Sequence, residues 1–418
     1  MVKSTTEQLD SFNKTDESEK KGNKIWLQSY LAESELAGHE CEYEDWVIKE
    51  SSAELSYLTH GFFRYFGKFP PPVARRFIEE LHQPQFGPVV DPMCGSGTTL
   101  VEAVLLQRAA IGLDVNPLSC LTAKVKTTPV DPNQIRRELE RYTDYYSKQD
   151  TGAAKKYIPE DSYLDHWFYA DTQLGIAKTR QFIEEEIADE DVRDFFKVSL
   201  ASVIRRLSRA SNGLGRMFLD PAIQPVSADG PFVKKCLQLT KGMEQLARFR
   251  PDIVVKQHEA RSPFLQPSGT NLVICHPPYF NVYRYSSLYK FEMLWLGFDY
   301  SSTRKQEVRE GFKIGKRELL ESYVDDMAEI FVNIHQALVP GGWCVLMIGD
   351  TYLRGERLNT TARVVGRVLQ DGGKFQLGKI IIRHPKYTEA SYAAGQRRTG
   401  KDIGVKLPDH IIVMRKVV

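Results

Sequence analysis

The sequence predicts an α/β fold built around a largely parallel sheet, with a helical insertion in the middle of the chain. Short apolar runs alternate with helical patterns at both ends of the sequence, as in proteins assembled from strand–helix–strand units. A glycine-rich segment, residues 91–99, joins one of these runs to a helix. Between residues 131 and 249, by contrast, charges recur at helical spacing and strand patterns are few.

The predicted elements follow in chain order. Residues 1–24 are polar and are expected to form a disordered tail, and residues 25–60 are expected to be mostly helical. Buried strands are predicted at residues 88–91, 110–114, 253–255, 272–275, 343–348, 379–383 and 410–414, and helices at residues 98–106 and from residue 117. The last two strands are expected to form an antiparallel hairpin at one edge of the sheet.

Composition excludes several classes of protein. The net charge of the 418 residues is only +2, so any surface for nucleic acid must be local. The six cysteines are scattered without a CxxC pair, which predicts reduced thiols of a cytosolic protein and neither disulfides nor a metal site. No apolar run approaches membrane-spanning length, and the N-terminus lacks an apolar signal core. We therefore expect a cytoplasmic protein of a bacterium or archaeon, with no metal and no membrane partner.

The glycine-rich segment predicts a nucleotide-type cofactor. Gly95 and Gly97 permit a tight turn and a close approach of a ligand to the backbone. Leu100 stands where dinucleotide-binding loops have their third glycine, and Asp91 opens the loop with a carboxylate that would repel a pyrophosphate. A cationic ligand such as S-adenosylmethionine therefore fits better than NAD, and Asp114, which ends the next strand, is suited to a ribose hydroxyl. Alone, the two glycines would indicate only a turn.

Two further segments carry candidate site residues. His276-Pro277-Pro278-Tyr279 follows a buried strand, and it combines a polar side chain, a backbone stiffened by prolines and an aromatic ring. Such a set suits a small planar group, for example a flipped nucleobase with an exocyclic amine. Upstream, the aromatics of residues 66–70 flank a glycine and could clamp a flat adenine or the methionine moiety, although an aromatic staple at a helix start explains them equally well.

Together these motifs resemble those of the DNA amino-methyltransferases, the enzymes that make N4-methylcytosine or N6-methyladenine. The resemblance rests on residues 66–70, 91–98, 114 and 276–279, which occur in the family's order. It implies a Rossmann-like, seven-stranded methyltransferase sheet and S-adenosylmethionine as cofactor. It also implies a cofactor-binding role for seven residues: Phe66, Lys68, Asp91, Gly95, Gly97, Thr98 and Asp114. The chain would then comprise the tail (1–24), an N-terminal helical segment with the cofactor-binding half (25–130), a helical insertion suited to target recognition (131–250) and the catalytic half (251–418).

The chain departs from the family at His276, because the family usually has Asp, Asn or Ser before Pro-Pro-Tyr. The resemblance asks this residue to accept a hydrogen bond from the target amine, which a neutral imidazole can do. If so, methylation should fall as pH drops through the histidine pKa, near 6.5 when unperturbed. In this interpretation Tyr279 stacks on the base, and Pro277 and Pro278 fix carbonyls beside the amine. Cys275 resembles the small residue that precedes Ser-Pro-Pro-Tyr in cytosine-N4 enzymes, which favours cytosine over adenine.

Double-stranded DNA is the expected partner, with a cognate restriction enzyme as a further one. Arg397, Arg398 and Lys401 cluster in a glycine-flanked polar segment that is suited to phosphates, although a solvated charge run is equally typical. The predicted function is site-specific methylation of DNA, with N4 of cytosine preferred to N6 of adenine. Two alternatives stay open: an RNA amino-methyltransferase, and a non-catalytic nucleic-acid-binding homologue that lost its chemistry at His276.

Overall fold

A computed structural model describes the chain at residues 42–48, 50–51, 53–148, 151–211, 217–250, 252–280, 285–308, 318–353, 356–384 and 408–417. These residues confirm the predicted α/β fold. The predicted tail, residues 1–24, lies outside the described part of the chain.

The strands divide into one large sheet and one small ribbon. In chain order they are β1 (Glu42–Val47), β2 (Val89–Asp91), β3 (Ala110–Asp114), β4 (Ile253–Gln257), β5 (Thr270–Cys275), β6 (Leu338–Gly349), β7 (Thr351–Leu353), β8 (Glu356–Leu358), β9 (Phe375–His384) and β10 (Asp409–Lys416). The main sheet has eight strands in the order β1-β9-β10-β6-β5-β2-β3-β4, and β7 pairs with β8.

The helices are α1 (Pro71–Leu81), α2 (Thr98–Leu105), α3 (Pro117–Thr127), α4 (Pro132–Lys148), α5 (Thr151–Ala154), α6 (Leu164–Trp167), α7 (Ala170–Glu185), α8 (Glu190–Leu207), α9 (Asp229–Leu246), α10 (Tyr285–Leu288), α11 (Lys290–Leu296), α12 (Tyr300–Gln306), α13 (Glu318–Ala337) and α14 (Thr360–Asp371). Single turns of 3-10 helix lie at Glu54–Ser56, Pro84–Phe86 and Lys155–Tyr157. No described helix is long and apolar enough to cross a membrane.

The connections of the main sheet create a crevice at its centre. Neighbouring strands run parallel except at β10, which is antiparallel to both β6 and β9. From β2, the chain continues to β3 and β4 on one side, whereas β5 and β6 lie on the other. The strand order therefore reverses between β2 and β5. Ligands of open α/β sheets bind beyond the carboxyl ends of the strands at such a reversal.

Alternating residues of the central strands face two separate apolar layers. On β6, Val345 and Met347 pack with α1 and α2, whereas Leu346 and Ile348 pack with α13 and α14. This alternation follows from the two-residue period of a strand, and it explains why β5 is apolar and buried throughout. Covered on both faces, the strands can present polar chemistry only at their ends.

The prediction of a helical stretch over residues 25–60 is wrong at residues 42–47, whereas Glu54–Ser56 form one turn of 3-10 helix. Residues 42–47 form β1, which pairs in parallel with β9 at the sheet edge and gives the sheet its eighth strand. Trp46 is buried against Phe77 and lies under the Arg76 guanidinium, 3.9 Å from the ring centroid. Lys379 on β9 bonds Glu44. These tertiary contacts outweigh the local preference of an acidic and aromatic segment.

The expected antiparallel pairing of the last two strands is confirmed, but their position differs from the prediction. β10 pairs antiparallel with β9 and is inserted between β9 and β6. The edge beyond β9 is occupied by β1. The acidic and aromatic sequence of β1 predicts a helix, so no strand is predicted for that edge.

Helices α3 to α9 lie between β3 and β4 in the chain, and α4 to α9 supply most of a second apolar core. The largest buried side chains there are aromatic, including Tyr142, Phe182, Phe195 and Phe232. Tyr142 packs edge-on against Phe182 and Phe232, and its hydroxyl bonds Thr179 at 2.9 Å. This helical segment also contacts α10 and α11, which follow the His276 motif, so it lies close to one wall of the central crevice.

Candidate cofactor and target-base site

A cavity open to solvent lies where the strand order reverses, and its empty space, counted together with the open solvent at its entrance, is about 830 Å³. Its walls come from the segments that directly follow β2, β3, β4 and β5, together with Tyr65, residues 67–69, Tyr285 and the end of α12. Seven of the predicted site residues line it: Lys68, Asp91, Gly95, Thr98, Asp114, His276 and Pro278. The fold therefore brings the two motifs to one cavity, although they are far apart in sequence.

The glycine loop after β2 has a backbone that other residues would not tolerate. Gly95 and Gly97 have φ angles of +50° and +76°, in the left-handed region that favours glycine. A Cβ on Gly97 would come within 2.8 Å of the Ala123 Cβ, and one on Gly95 within 3.0 Å of the Tyr65 ring. Gly97 precedes α2 and does not itself line the cavity, so its role is to shape the turn.

Asp114 connects this loop to the end of β3. Its Oδ2 accepts a hydrogen bond from the Gly95 amide at 3.0 Å, and its Oδ1 accepts one from the Asn116 amide at 2.8 Å. Asn116 in turn caps α3 by accepting from the Leu118 amide at 3.0 Å. Burial raises the pKa of Asp114 to about 6, and the two amide hydrogen bonds oppose that rise. The carboxylate thus both orders the loop and faces the cavity.

The cavity is markedly acidic. Burial raises the pKa of Asp91 to about 7, although the Met93 amide donates to its Oδ1 at 3.2 Å. Burial also raises the pKa of Glu307 to about 7, and Ser286 donates to both of its carboxylate oxygens. A nearby positive charge stabilises the ionised form of such carboxyl groups and lowers their pKa values. The lining therefore favours a cationic ligand, as the acid at the start of the loop predicted.

The segment before α1 places Lys68 in the cavity but turns Phe66 away. Lys68 lines the wall and donates to the His60 carbonyl at 3.0 Å, while burial lowers its pKa to about 8. The Phe66 ring is not part of the lining and lies between the guanidinium groups of Arg64 and Arg205, at 4.9 and 5.6 Å. The aromatic that faces the cavity from this segment is instead Tyr65.

Tyr65 and Tyr285 form an aromatic wall that the sequence analysis did not single out. Their rings stack at a centroid distance of 5.5 Å, and Tyr65 also stacks on Tyr289 at 5.3 Å. Both Tyr65 and Tyr285 line the cavity. A flat aromatic surface of this kind suits a planar ring. The only sequence signal was a high local density of tyrosine, which does not distinguish a ligand wall from a core.

A buried polar cluster supports the loop from behind. Glu102 on α2 is fully buried and accepts hydrogen bonds from Tyr57 at 2.5 Å, His60 at 2.6 Å and Arg75 at 2.7 Å. Burial lowers the pKa of His60 to about 4, so its Nε2–H donates as a neutral ring. The cluster ties the segment that contains Lys68 to the helix that the glycine loop begins. Lys126, also fully buried, donates to the Ser96 carbonyl of that loop.

His276 directly follows the last residue of β5, and its ring contacts the rings of Phe69 and Tyr279. Its Nε2 is 3.3 Å from the Tyr279 hydroxyl, which donates to Asp409 Oδ1 at 3.0 Å. Burial lowers the pKa of His276 to about 4, and the charge of Asp409 opposes that shift. The imidazole is therefore neutral near pH 7, the form that can accept a hydrogen bond.

The remaining motif residues frame this histidine. Pro277 and Tyr279 are not part of the cavity lining, whereas Pro278 is. The Tyr279 ring lies over Gly349, where a Cβ would come within 2.7 Å of the ring. The Pro278 carbonyl already accepts a hydrogen bond from Tyr323 at 2.9 Å, which leaves one of its lone pairs for another donor.

The predicted phosphate-binding residues Arg397, Arg398 and Lys401 lie outside the described part of the chain. In the helical segment, Lys197 pairs with Glu184 at 3.1 Å. The described residues contain no group of His, Cys, Asp and Glu that could hold a metal ion.

Comparison with known proteins identifies the relatives of this chain. A family model described as DNA methylase (N6_N4_Mtase) matches residues 2–125. The Type II methyltransferase M.MvaI of Kocuria varians is 25% identical over 297 residues, 65% of this chain and 65% of that protein. M.MjaII, a Type II methyltransferase of Methanocaldococcus jannaschii, is 30% identical over 124 residues, 30% of this chain and 23% of that protein. The chain is related to the DNA amino-methyltransferases.

This relationship confirms the family resemblance. The family match includes Lys68, the glycine loop and Asp114 and ends before His276, so it bears on the cofactor half alone. It supports S-adenosylmethionine as the cofactor, which the acidic lining and the close-fitting glycines accommodate. Among solved structures, a candidate DNA modification methylase of Thermus thermophilus, complexed with S-adenosyl-L-methionine, shares 22% identity over 38% of this chain and 54% of its own, with a TM-score of 0.24.

Proposed function

We propose that this chain transfers a methyl group from S-adenosylmethionine to an exocyclic amine of a base flipped out of DNA, with cytosine N4 as the favoured target. The observation that carries the proposal is the shared cavity. The glycine loop, which begins with Asp91, and His276 line the same cavity, so a cofactor and a target amine could meet there. The chain spans 65% of the length of M.MvaI, and the family match supports the methylase half of the proposal.

The cofactor side of the cavity would bind and orient. Asp114 is placed to accept ribose hydroxyl hydrogen bonds while it holds Gly95, and Asp91 and Glu307 would balance positive charge. Lys68 offers an ammonium to a carboxylate. When bound, S-adenosylmethionine supplies an electrophilic methyl group on a sulfonium ion. The stacked Tyr65 and Tyr285 would exclude water from one side of the ligand.

The target side of the cavity would activate the amine. His276, neutral near pH 7, would accept a hydrogen bond from the exocyclic amine and so make the nitrogen lone pair available for the new N–C bond. The same imidazole can then accept the proton that the nitrogen releases. Cytosine is favoured because Cys275, which precedes the motif, resembles the small residue found before Ser-Pro-Pro-Tyr in cytosine-N4 enzymes. Stacking of Tyr279 on the base remains part of the proposal; its side chain is partly exposed and lies beside the cavity lining.

The test is tritiated methyl incorporation into DNA of broad sequence content by the full chain. Hydrolysis and mass spectrometry of the product then distinguish N4-methylcytosine from N6-methyladenine. His276→Ala should lose incorporation and keep cofactor affinity, and His276→Ser should retain part of the activity. His166→Ala, at an exposed histidine of the helical segment, is the matched control and should behave as wild type. Incorporation into RNA but not DNA, or full activity of His276→Ala, would contradict the proposal.

A further inference from the structure

Three strand ends converge on the Tyr279 hydroxyl. Tyr279 follows β5, Asp409 begins β10, and Arg383 lies near the end of β9. In the sheet register, Asp409 is the direct partner of both Gly349 and Arg383. Because the Tyr279 ring lies over Gly349, its hydroxyl reaches the Asp409 carboxylate on the neighbouring strand at 3.0 Å. Pairing in the sheet, rather than loop conformation, therefore fixes this contact.

The ion pair of Arg383 and Asp409 determines which group donates each hydrogen bond between Asp409, Tyr279 and His276. Arg383 donates to Asp409 Oδ2 from Nε at 2.7 Å and from a second guanidinium nitrogen. The carboxylate in this ion pair is an acceptor only, so the single Tyr279 proton points to Asp409 Oδ1. Toward His276, the Tyr279 oxygen can then only accept. The proton between the two side chains must belong to His276 Nε2, at 3.3 Å.

We infer that Tyr279 and Asp409 are positioning residues that hold His276 in its Nε2–H tautomer and leave Nδ1 as the nitrogen that accepts the hydrogen bond of the target amine. The inference rests on the proposed function and goes beyond it by assigning the acceptor atom and the groups that select it. A neutral imidazole carries one proton, so a donor at Nε2 leaves a lone pair at Nδ1. Among the described residues, Nδ1 has no hydrogen-bond partner, and His276 lines the cavity.

The same arrangement would assist the proton transfer that accompanies methylation. The amine nitrogen forms its bond to the methyl carbon, the electron pair of the broken C–S bond stays on sulfur, and one amine proton passes to Nδ1. His276 then becomes an imidazolium whose Nε2–H still donates to Tyr279. The negative charge of Asp409 favours that cation, and the positive charge of Arg383 partly opposes this effect, as both charges do on the His276 pKa that burial lowers. A carboxylate that orients a histidine and stabilises its charged form is an established catalytic device.

A structural role for the contact makes a different prediction. If Tyr279 and Asp409 only fasten the loop to the sheet, removal of the hydroxyl would lower stability without changing the His276 tautomer. Tyr279→Phe keeps the ring on Gly349 and deletes only the hydroxyl. Asp409→Asn keeps the size of the side chain and removes the charge that pairs with Arg383. Tyr142→Phe, which deletes the buried hydroxyl bonded to Thr179 in the helical segment, is the matched control.

The experiment is a long-range ¹H–¹⁵N correlation spectrum of the full chain labelled with ¹⁵N-histidine, with S-adenosylhomocysteine added. The chain has nine histidines, and the His276 signals are those lost in His276→Gln. We expect a protonated Nε2 and an unprotonated Nδ1 in wild type and in Tyr142→Phe. In Tyr279→Phe and Asp409→Asn we expect the Nδ1–H tautomer to gain population, with kcat about 10- to 100-fold lower and cofactor Kd within about twofold.

Two results would overturn the inference: a wild-type His276 that is protonated at Nδ1, or a tautomer that neither substitution changes. The spectrum does not depend on turnover, so it separates the inference from the proposed function. A wild-type chain that methylates no DNA yet shows the expected tautomer and its loss in Tyr279→Phe would reject the proposed function and sustain the positioning role. Wild-type kcat in both variants would reject the positioning role while methylation itself stands.

Discussion

The amide of Gly95 donates a 3.0 Å hydrogen bond to the carboxylate of Asp114 in the wall of the cavity. The second carboxylate oxygen holds Asn116, the residue that caps α3. One side chain therefore couples the glycine loop after β2 to the end of β3 and to the helix beyond. A ligand that bonded the same carboxylate would meet a loop whose conformation is already fixed, and it would lose less entropy on binding.

Replacement of Asp114 by Ala should weaken S-adenosylmethionine binding by about 10- to 100-fold, which corresponds to roughly 1–3 kcal/mol for hydrogen bonds made to a charged group. The loss combines the ribose contacts with the order of the loop. Isothermal titration calorimetry measures it directly. Asp171→Ala, at an exposed acid in the first turn of α7, should leave the affinity unchanged. A folded Asp114→Ala variant with wild-type affinity would remove Asp114 from the cofactor site.

The sequence was informative about this half of the site because strand ends are visible in sequence. A buried run that stops at Asp91 and another that stops at Asp114 place both acids at the same edge of a parallel sheet, whatever the details of packing. The spacing of the glycines likewise follows from local backbone geometry. Thus the sequence alone predicts the fold class, the glycine loop and the position of His276 at the same end of the sheet as that loop.

The pH dependence of cofactor binding should report the acidic lining. Burial raises the pKa of Asp91 to about 7 and that of Asp114 to about 6, so both lose charge as pH falls from 8 to 5. S-adenosylmethionine carries a sulfonium charge that favours the ionised carboxylates. We expect its affinity to increase about tenfold as pH rises from 5.5 to 7.5, since one pKa unit corresponds to a tenfold change in an equilibrium constant.

S-adenosylhomocysteine, which lacks the sulfonium charge, should show a smaller slope over the same range. Asp91→Asn should flatten the slope for S-adenosylmethionine alone.

Without ligand, the raised carboxyl pKa values have the opposite effect on the stability of the protein, which falls as pH rises. Their contribution is complete below the unfolded value of 3.8 and is lost as pH rises through about 6 and 7. Equal slopes for the two ligands in calorimetry would contradict an electrostatic role for Asp91.

Long-range polar contacts were beyond the sequence analysis. Glu102 lies in an otherwise apolar helix, where a lone acid is ordinarily exposed, yet it is fully buried among partners from another segment. Tyr279 and Asp409 are separated by 130 positions, and only the pairing of β10 beside β6 brings them together. Tyr65 lines the cavity, whereas the adjacent Phe66 contacts the guanidinium groups of Arg64 and Arg205. Such outcomes depend on tertiary packing, which leaves no periodic signal.

Removal of the Glu102 carboxylate should destabilise the fold strongly. Glu102→Leu leaves the donors of Tyr57, His60 and Arg75 without their buried acceptor, a loss of about 3–5 kcal/mol in the free energy of unfolding. Urea denaturation measures the loss. Glu80→Leu is the control, because its pair with Arg76 is solvent-exposed and should contribute no more than about 1 kcal/mol. Equal effects of the two substitutions would show that the cluster does not stabilise the site.

The acid limit of methylation should lie well below the ordinary pKa of histidine. The sequence alone suggested a decline near pH 6.5, but burial between Phe69 and Tyr279 lowers the pKa of His276 to about 4. Because the neutral ring is the acceptor, kcat at saturating cofactor and DNA should stay constant from pH 8 to about 5.5 and decline only as pH approaches 4. In Asp409→Asn the decline should begin at still lower pH, because the charge of Asp409 favours the imidazolium.

Loss of stability at low pH limits the range over which the pH dependence of kcat can be measured. The direction of that loss follows from the pKa of His276. The folded pKa of His276, about 4, lies below the unfolded value of 6.5, so protonation favours the unfolded chain. The contribution of His276 to stability is complete above pH 6.5 and is lost as pH falls toward 4. Thermal melts at each pH define the range in which turnover can be interpreted, and His276→Gln should lose less stability than wild type between pH 6.5 and 4. A kcat that halves near pH 6.5 while the chain remains folded would show that the His276 imidazole is not the neutral acceptor described above.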